Sequence, residues 1–225
     1  MHSTTLKELS QLITGLKIPR SSIVMIHSSL LKFGIIENGV DGFLKCIIES
    51  LAGEPTIVMP AFTFSYFDNK YWYAKKTKSE MGALSEYFRK LNGAIRTIHP
   101  FHSIVAYGKY AKVFAECNSL SSFGKDSPFD KLLELNAYNL SLGTEFIGGA
   151  TFMHHTEEVC QVPYRYYKEF PGDVYDINES TCHARIWNEG YGGQCSRKCH
   201  PDSNNHLCLK HDKKYNNHTL SLGLI

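Results

Sequence analysis

Two histidines are followed at helical spacing by two glutamates in the segment 151–158. If this segment is a helix, His154 lies three residues before Glu157 and four before Glu158, so either carboxylate can reach its imidazole. A carboxylate beside a histidine fixes the tautomer and stabilises the imidazolium, as a general base requires. The same spacing also occurs in surface ion pairs that stabilise a helix by roughly 0.2–0.5 kcal/mol. Spacing alone leaves a general base and a surface pair as equal alternatives.

A second candidate site follows a buried strand near the start of the chain. His27 ends an apolar run that begins at residue 22, and Ser28 and Ser29 come directly after it. Ligands of α/β sheets bind beyond the carboxyl ends of strands, where N–H groups and hydroxyls suit phosphate or amide ligands. Serines at a strand end also cap the next turn, and the local sequence favours this simpler interpretation.

Arg96, His99, His102 and Ser103 lie within eight residues, around Pro100. Because histidine changes charge near neutral pH, such a pair suits proton transfer or metal binding. A His-X-X-His pair without a nearby cysteine or carboxylate is a weak indication of a metal site, however. A proline turn with exposed polar residues explains the segment equally well.

A loop that contains Gly124 and Ser127 leads into another predicted helix. Helix N-termini attract anions, so these residues are candidates for binding a phosphate-bearing ligand. Asp126 and Ser127 are also ordinary N-cap residues, and capping is the interpretation that the local sequence favours.

The last fifty residues are rich in Cys, His, Asn, Lys and Gly and show no sustained period of 2 or 3.6. Zinc binds such side chains, and the candidate ligands are Cys195, Cys199, His200, His206, Cys208 and His211. Their spacing matches none of the common structural patterns, however. We therefore expect no metal site. Three interpretations of this segment stay open, namely disorder, a divergent insertion, and a frameshift near residue 180.

Alternating strand and helix patterns must position these candidates. Strands are predicted at 22–27, 56–60, 94–98, 103–107 and 138–142. Helices are predicted at 3–16, with Ser3 or Thr4 as the cap, and at 41–51, 81–91, 111–116, 129–135 and 151–161. This alternation is typical of an α/β fold, and we predict one layered domain with a central mixed sheet flanked by helices. The regular pattern assigns residues 1–175 to the domain and leaves 176–225 as an atypical tail.

The composition is that of an ordinary globular protein. The 225 residues are 43% apolar and 20% charged, with a formal net charge of +2 and no basic cluster. The sequence therefore gives no indication of a basic surface that would bind nucleic acid. Its apolar stretches are too short to span a membrane, and the N-terminus lacks a secretory apolar region. We expect a cytoplasmic protein without a membrane partner. The sequence leaves open whether it forms a homo-oligomer.

Several segments of the sequence, taken together in their order along the chain, indicate a similarity to known proteins. They are His27–Leu30, Gly53–Thr63, Met81–Leu84, Arg96–Ser103, Phe123–Phe129 and Thr151–His154, followed by Glu157 and Val162–Arg165. Together they resemble the aminoglycoside N3-acetyltransferase family, also called the antibiotic acetyltransferase family. The resemblance covers about residues 20–168, and the ordered set is more specific than any one segment.

The resemblance implies an α/β enzyme that transfers an acyl group from acetyl-CoA, or another acyl-CoA, to a primary amine of an aminosugar or aminoglycoside. It implies that His154 is the general base and that Glu157 assists it. The residues implied in the cofactor region are His27, Ser28, Ser29, Arg96, His99, Ser103, Gly124 and Ser127, of which the first three lie along the pantetheine arm.

Three alternatives remain beside this function. The aromatic segments 62–67 and 71–73 suit stacking on a sugar or a base, and they favour family members that acylate nucleotide-linked aminosugars for surface polysaccharides. A non-catalytic protein that binds only coenzyme A or a sugar is a second alternative. A zinc-binding interaction module, which depends entirely on the tail, is the third.

Overall fold

The strands and helices follow the predicted alternation over most of the chain. The computed structural model describes residues 3–117, 121–145, 149–164 and 168–176, together with the backbone of 181–188 and 194–197. Its helices are α1 (Leu6–Gly15), α2 (Gly39–Ser50), α3 (Tyr66–Asn69), α4 (Ala83–Arg89), α5 (Ala111–Ala115), α6 (Pro128–Glu134) and α7 (Phe152–Val159), with a short 3-10 helix at Leu30–Phe33. Its strands are β1 (Ser3–Thr4), β2 (Ile23–Ser28), β3 (Ile35–Ile36), β4 (Thr56–Pro60), β5 (Tyr71–Tyr73), β6 (Ile95–Arg96), β7 (Ile104–Tyr107), β8 (Tyr138–Leu142), β9 (Lys168–Tyr175), β10 (Thr181–Asn188) and β11 (Gln194–Arg197).

Five of the described strands form a central sheet in the order β6-β7-β4-β2-β8. Strand β2 pairs in parallel with β4 and β8, whereas the β4–β7 and β7–β6 pairs are antiparallel. All of β4 and nearly all of β2 are buried, as expected of strands with helices on both faces. The predicted α/β domain with a central mixed sheet is confirmed.

Side chains of β2 alternate between two apolar cores. Val24 and Ile26 belong to a core that also contains residues of α1, α2 and α4. Ile23 and Met25 belong to a second core, which contains residues of α5 and α6 and has α7 packed against it. His27 continues the alternation of Ile23 and Met25, so its side chain lies on the face of the sheet that α6 and α7 cover.

A second sheet has the order β11-β10-β9-β5. Strands β9, β10 and β11 pair antiparallel in succession, and β5 joins β9 in parallel although the two are far apart in the chain. Strands β10 and β11 fall in the segment for which the sequence predicted no element. The division of the chain at residue 175 stays a prediction. Most of the candidate zinc ligands lie outside the described residues, namely Cys199, His200, His206, Cys208, His211 and the side chain of Cys195.

The first helix begins later than predicted, because a different residue caps it. Thr5 accepts a hydrogen bond from the backbone N–H of Glu8, and the Glu8 side chain accepts one from the backbone of Thr5. This reciprocal capping box starts the helix at Leu6. Ser3 and Thr4 instead form β1, which pairs with β3, so the prediction that one of them is the cap is wrong.

Candidate active site

Helix α7 carries His154 and Glu157 in direct contact. The Nδ1 atom of His154 lies 2.8 Å from Oε2 of Glu157, and the hydroxyl of Tyr164 donates to Oε1 of the same carboxylate at 3.1 Å. Because an ionised carboxylate only accepts hydrogen bonds, Nδ1 carries the ring proton and the basic lone pair lies on Nε2. The His154 side chain is 32% exposed, so a reactant can approach it. This arrangement suits a general base.

The two consecutive glutamates of α7 have different partners. Glu157 orients His154, whereas Glu158 turns into the protein and is only 1% exposed. The hydroxyl of Ser121 donates to Oε1 of Glu158 at 2.9 Å. Burial raises the pKa of Glu158 to about 9, against the opposing effects of the Ser121 hydroxyl and the Phe123 backbone. The carboxyl group is therefore neutral at pH 7.

The two consecutive histidines of α7 both contact Phe123. The ring of His154 lies 5.1 Å from the Phe123 ring, measured between centroids. His155 is buried, and its Nδ1–H donates to the backbone oxygen of Phe123 at 2.5 Å. On its other side, Nε2 of His155 lies 3.7 Å from Oδ1 of Asp130 in α6. Phe123 is thus fixed by α7 through both its ring and its carbonyl.

The loop that contains Gly124 and Ser127 is held by its own hydrogen bonds. The N–H of Gly124 donates to Oγ of Ser121 at 2.7 Å, and a Cβ atom on this glycine would lie only 2.0 Å from Oε1 of Glu158. Ser127 is fully buried and accepts a hydrogen bond from the N–H of Asp130. It therefore caps α6, as the local sequence favoured.

His99, His102 and Ser122 form a buried cluster beside this loop. The N–H of His102 donates to Nδ1 of His99, so the proton of His99 is on Nε2, which lies 3.1 Å from Oγ of Ser122. That oxygen also forms a hydrogen bond of 2.8 Å with Nδ1 of His102. Burial lowers the pKa of His99 to about 3 and that of His102 well below its ordinary value. Both rings are therefore neutral at physiological pH.

Arg96 is buried, and its donors are directed at protein oxygens. Its Nε donates to Oγ of Ser103 at 3.0 Å, while Nη1 and Nη2 donate to the carbonyl oxygens of Thr77 and Ala61 at 2.5 and 2.6 Å. The guanidinium also lies 4.7 Å from the centre of the Trp72 ring. Burial lowers its pKa to about 9. Arg96 and Ser103 thus fix the segments around them.

His27, Ser28 and Ser29 lie at the carboxyl end of β2. His27 is buried, burial lowers its pKa to about 4, and its Nε2 has no hydrogen-bond partner among the described residues. Both serines are partly exposed, and the N–H of Ser29 donates to the oxygen of Leu142 at the end of the parallel strand β8. The two accessible hydroxyls at this edge suit a ligand rich in amides, whereas the Nε2 atom of His27 is buried.

The aromatic segment 62–73 divides between core and surface. Trp72 is fully buried, whereas Phe64, Phe67 and Tyr71 are each about half exposed. The ring of Phe64 lies 5.9 Å from that of His102. Exposed aromatic surface therefore borders the buried histidine cluster.

The structure brings three of the predicted segments together. His102 lies 4.7 Å from Phe123, and Phe123 lies 5.1 Å from His154, measured between ring centroids. These contacts join 96–103, 121–127 and 154–157. Among the described residues, no side-chain hydrogen bond links 27–29 to them. Sequence reasoning missed the roles of Tyr164 and Ser122, since Tyr164 lies beyond the end of α7 and Ser122 is distant in the chain from the histidines it contacts.

Two kinds of feature are absent from the described part of the chain. Within it, no three His, Cys, Asp or Glu side chains are grouped so that they could hold a metal ion. None of the helices there combines the length and apolar character needed to cross a membrane.

The sequence is similar to known proteins that share one family description. The family model described as aminoglycoside 3-N-acetyltransferase matches residues 25–203. An aminoglycoside N(3')-acetyltransferase-like protein, YokD, from the SPbeta prophage of Bacillus subtilis (strain 168) is 28% identical over 193 residues, which cover 73% of this chain and 70% of that protein. Aminoglycoside N(3)-acetyltransferase III of Acinetobacter baumannii is 25% identical over 181 residues, covering 71% of this chain. The match spans 62% of that enzyme, less than two thirds of its length.

Comparisons with solved structures show a shared fold. AAC-IIIb in a binary complex with CoASH superposes with a TM-score of 0.68 at 20% identity, covering 82% of this chain and 74% of that one. AAC-VIa bound to sisomicin superposes with a TM-score of 0.71 at 17% identity, covering 97% of this chain and 87% of that one.

Proposed function

Because this chain belongs to the aminoglycoside 3-N-acetyltransferase family, we propose that it transfers an acyl group from acyl-CoA to a primary amine of an aminoglycoside. The observation that carries the proposal is the 2.8 Å contact between Nδ1 of His154 and Oε2 of Glu157. It fixes the tautomer that a general base needs and places a negative charge beside the imidazolium that forms. Tyr164 holds the second oxygen of the carboxylate.

The proposed reaction is a direct transfer with His154 as the base. The acceptor amine is largely protonated at neutral pH, and an ammonium nitrogen has no lone pair with which to attack. The ammonium therefore first releases one proton to solvent, and the neutral amine is the form that attacks. As its nitrogen bonds to the thioester carbonyl carbon and the carbonyl oxygen becomes an oxyanion, His154 takes a second proton from that nitrogen. The carbon–sulfur bond then breaks, and the imidazolium returns the proton to the leaving thiolate. This route needs no acyl-enzyme and no nucleophilic serine or cysteine.

The acyl-CoA would bind along the carboxyl edge of the parallel strands. AAC-IIIb, which shares the fold, is a complex with CoASH. The partly exposed Ser28 and Ser29 are the residues we assign to the pantetheine arm, with His27 beneath them. The accessible hydroxyls of Ser28 and Ser29 would also stabilise the oxyanion formed on the carbonyl. The protein would act in the cytoplasm, where acyl-CoA is available.

The remaining residues of the proposed cofactor region lie deeper. They are Arg96, His99, Ser103, Gly124 and Ser127, all of which are buried. Their hydrogen bonds run to protein atoms, so we assign them the task of shaping the two loops on which the cofactor rests. Positioning of this kind contributes to catalysis, because a small displacement of the reacting groups lowers the rate of transfer steeply.

A nucleotide-linked aminosugar is the second candidate acceptor. The half-exposed rings of Phe64, Phe67 and Tyr71 favour it, since a base or a sugar face stacks on such surfaces. The complex of AAC-VIa with sisomicin favours aminoglycosides instead. Both acceptors present a primary amine and would use the same base.

The test measures release of free thiol from acetyl-CoA. Purified protein is incubated with a kanamycin-type aminoglycoside and, separately, with a nucleotide-linked aminosugar. We expect one acceptor to release thiol well above background. Replacing His154→Ala should lower the rate by roughly 10²–10⁴-fold while coenzyme A still binds, and Glu157→Gln should leave weak activity with an altered pH profile.

Thr156→Ala is the matched control, because Thr156 is exposed on the same helix and has no assigned role. It should leave turnover unchanged. Wild-type turnover in His154→Ala would disprove the assignment of the base. Coenzyme A binding without transfer to either acceptor would replace the enzyme with the non-catalytic alternative.

A further inference from the structure

The sequence of α7 contains two overlapping His-X-X-Glu pairs, His154 with Glu157 and His155 with Glu158. We propose that the second pair, His155 and Glu158, positions the 121–124 loop against the catalytic histidine. The inference rests on the proposed function, since it treats His154 as the base. In this proposal His155 and Glu158 are positioning residues that act through Phe123 and do not touch the reactants.

The contacts of Glu158 hold the start of the loop. Its Oε1 accepts from Ser121, and the same serine oxygen accepts from the N–H of Gly124. The backbone of Gly124 lies directly against the carboxyl, where even a single added methyl group would overlap Oε1. Glu158 therefore sets the distance between α7 and both ends of the four-residue loop.

The contacts of His155 hold the middle of the loop. Its Nδ1–H donates to the carbonyl of Phe123, and its Nε2 faces Asp130 of α6. The Phe123 ring is thereby held against the rings of His154 and Phe129, at centroid distances of 5.1 and 4.8 Å. A shift of the loop would move the ring that packs on the base.

The same loop also carries Ser122, which bridges the two buried histidines. Its oxygen lies 3.1 Å from Nε2 of His99 and 2.8 Å from Nδ1 of His102. Ser122 stands between Ser121 and Phe123, the residues that the second pair holds. One helix therefore sets the position of the base itself, the ring packed on it and the bridge to the histidine cluster.

The protonation of Glu158 limits the pH range in which this contact holds. Its buried carboxyl is neutral at pH 7, and the ionised form would be stable only where water reaches it. Alkaline pH therefore favours conformations in which α7 and the loop separate. The titratable residues on the elements that pack here belong to α7, to the segment after the loop, to α6 and to the histidine cluster. They are His154, His155 and Glu157 on α7, Lys125 and Asp126 after the loop, Asp130, Lys131 and Glu134 on α6, and His99 and His102.

The first test measures the loop without using activity. Hydrogen–deuterium exchange of peptides that contain 121–124 is compared at pH 7 in the wild type, Glu158→Gln and Glu158→Met. Glutamine keeps an oxygen that accepts from Ser121, whereas methionine has a similar size and no such oxygen. We expect exchange to be about tenfold faster in Glu158→Met, near the wild-type rate in Glu158→Gln, and unchanged in α2 peptides. Equal loop exchange in all three proteins overturns the proposal.

The second test measures the consequence for the base. At pH 7 we expect kcat to fall by roughly 10- to 100-fold in Glu158→Met and to be largely rescued in Glu158→Gln. Above about pH 8.5 the wild type should lose kcat relative to Glu158→Gln, because only the wild-type side chain can ionise. Thr156→Ala should match the wild type throughout. A wild-type kcat in Glu158→Met, or parallel pH profiles of the wild type and Glu158→Gln, overturns the positioning role.

The two tests separate failure of this inference from failure of the proposed function. If the wild-type protein acylates no acceptor, the proposed function fails, while the exchange experiment still decides whether Glu158 holds the loop. If transfer occurs and the loop exchanges equally in all three proteins, only the positioning role is lost.

Discussion

Replacing Glu158 by glutamine should change the pH dependence of stability. Burial raises the pKa of this carboxyl in the folded protein to about 9, from an ordinary value of 4.5 that applies to the unfolded chain. Between these values the folded protein holds a proton that the unfolded chain has released. The free energy of unfolding of the wild type therefore falls as pH rises, by about 1.4 kcal/mol per pH unit. The contribution is fully present below pH 4.5 and is lost once pH has risen through 9.

The expected difference is large enough to measure. Over the whole window the wild type loses roughly 6 kcal/mol relative to a side chain that cannot ionise. Between pH 6 and pH 8 this amounts to about 3 kcal/mol. Glu158→Gln keeps an acceptor for Ser121, and the other titratable groups are common to both proteins. The variant should therefore gain stability relative to the wild type as pH rises.

The assay is urea unfolding of both proteins at pH 6, 7 and 8. Glu49→Gln serves as the control, because the side chain of Glu49 on α2 is 65% exposed and remains in contact with water after folding. Its stability relative to the wild type should stay nearly constant with pH. If the difference between Glu158→Gln and the wild type also changes by less than about 0.5 kcal/mol from pH 6 to pH 8, Glu158 is not buried as a neutral acid and the reasoning fails.

Two further substitutions test the surroundings of the site. Arg96→Met should lower the free energy of unfolding in urea by roughly 2–6 kcal/mol, since the buried carbonyls of Ala61 and Thr77 lose their donor. Arg20→Met, at an exposed position, is the control, and a loss in Arg96→Met no larger than in this control would contradict the assignment. Tyr164→Phe should lower kcat by less than about tenfold and by less than Glu157→Gln, because it removes one hydrogen bond from a neutral donor, and the carboxylate keeps its contact with His154. An equal loss in the two variants would place the Tyr164 hydroxyl on the reactants themselves.

Elements with a strong local pattern could be predicted from the sequence. Strands β4 and β8 begin and end at the predicted residues, and the predicted helices differ from the observed ones by at most three residues at either end. Helix α3 was not predicted. The segment 66–73 shows where local reasoning stops. Its aromatic residues were interpreted as a stacking surface, yet Trp72 is buried beneath Arg96 in strand β5. That strand forms against β9, a partner so distant in the chain that no local pattern records it.

The candidate site, like the fold, could be predicted from the sequence where its contacts depend on local spacing. The spacing of three residues between His154 and Glu157 predicted their contact, because helix geometry brings such side chains together. The same geometry allowed Glu158 to reach His154, and only the buried Ser121 decides that it turns the other way. Tyr164 and Ser122 approach the site from outside the helix, so their contacts depend on the tertiary fold.

The oxygen atoms around Arg96 have a consequence for how the chain folds. The guanidinium joins Ala61 after β4, Thr77 after β5 and Ser103 before β7, and it lies on Trp72 of the second sheet. A partly assembled intermediate would bury this positive charge with some of those acceptors missing, which costs several kcal/mol. We therefore expect the two sheets to assemble in one cooperative step, around the buried guanidinium of Arg96.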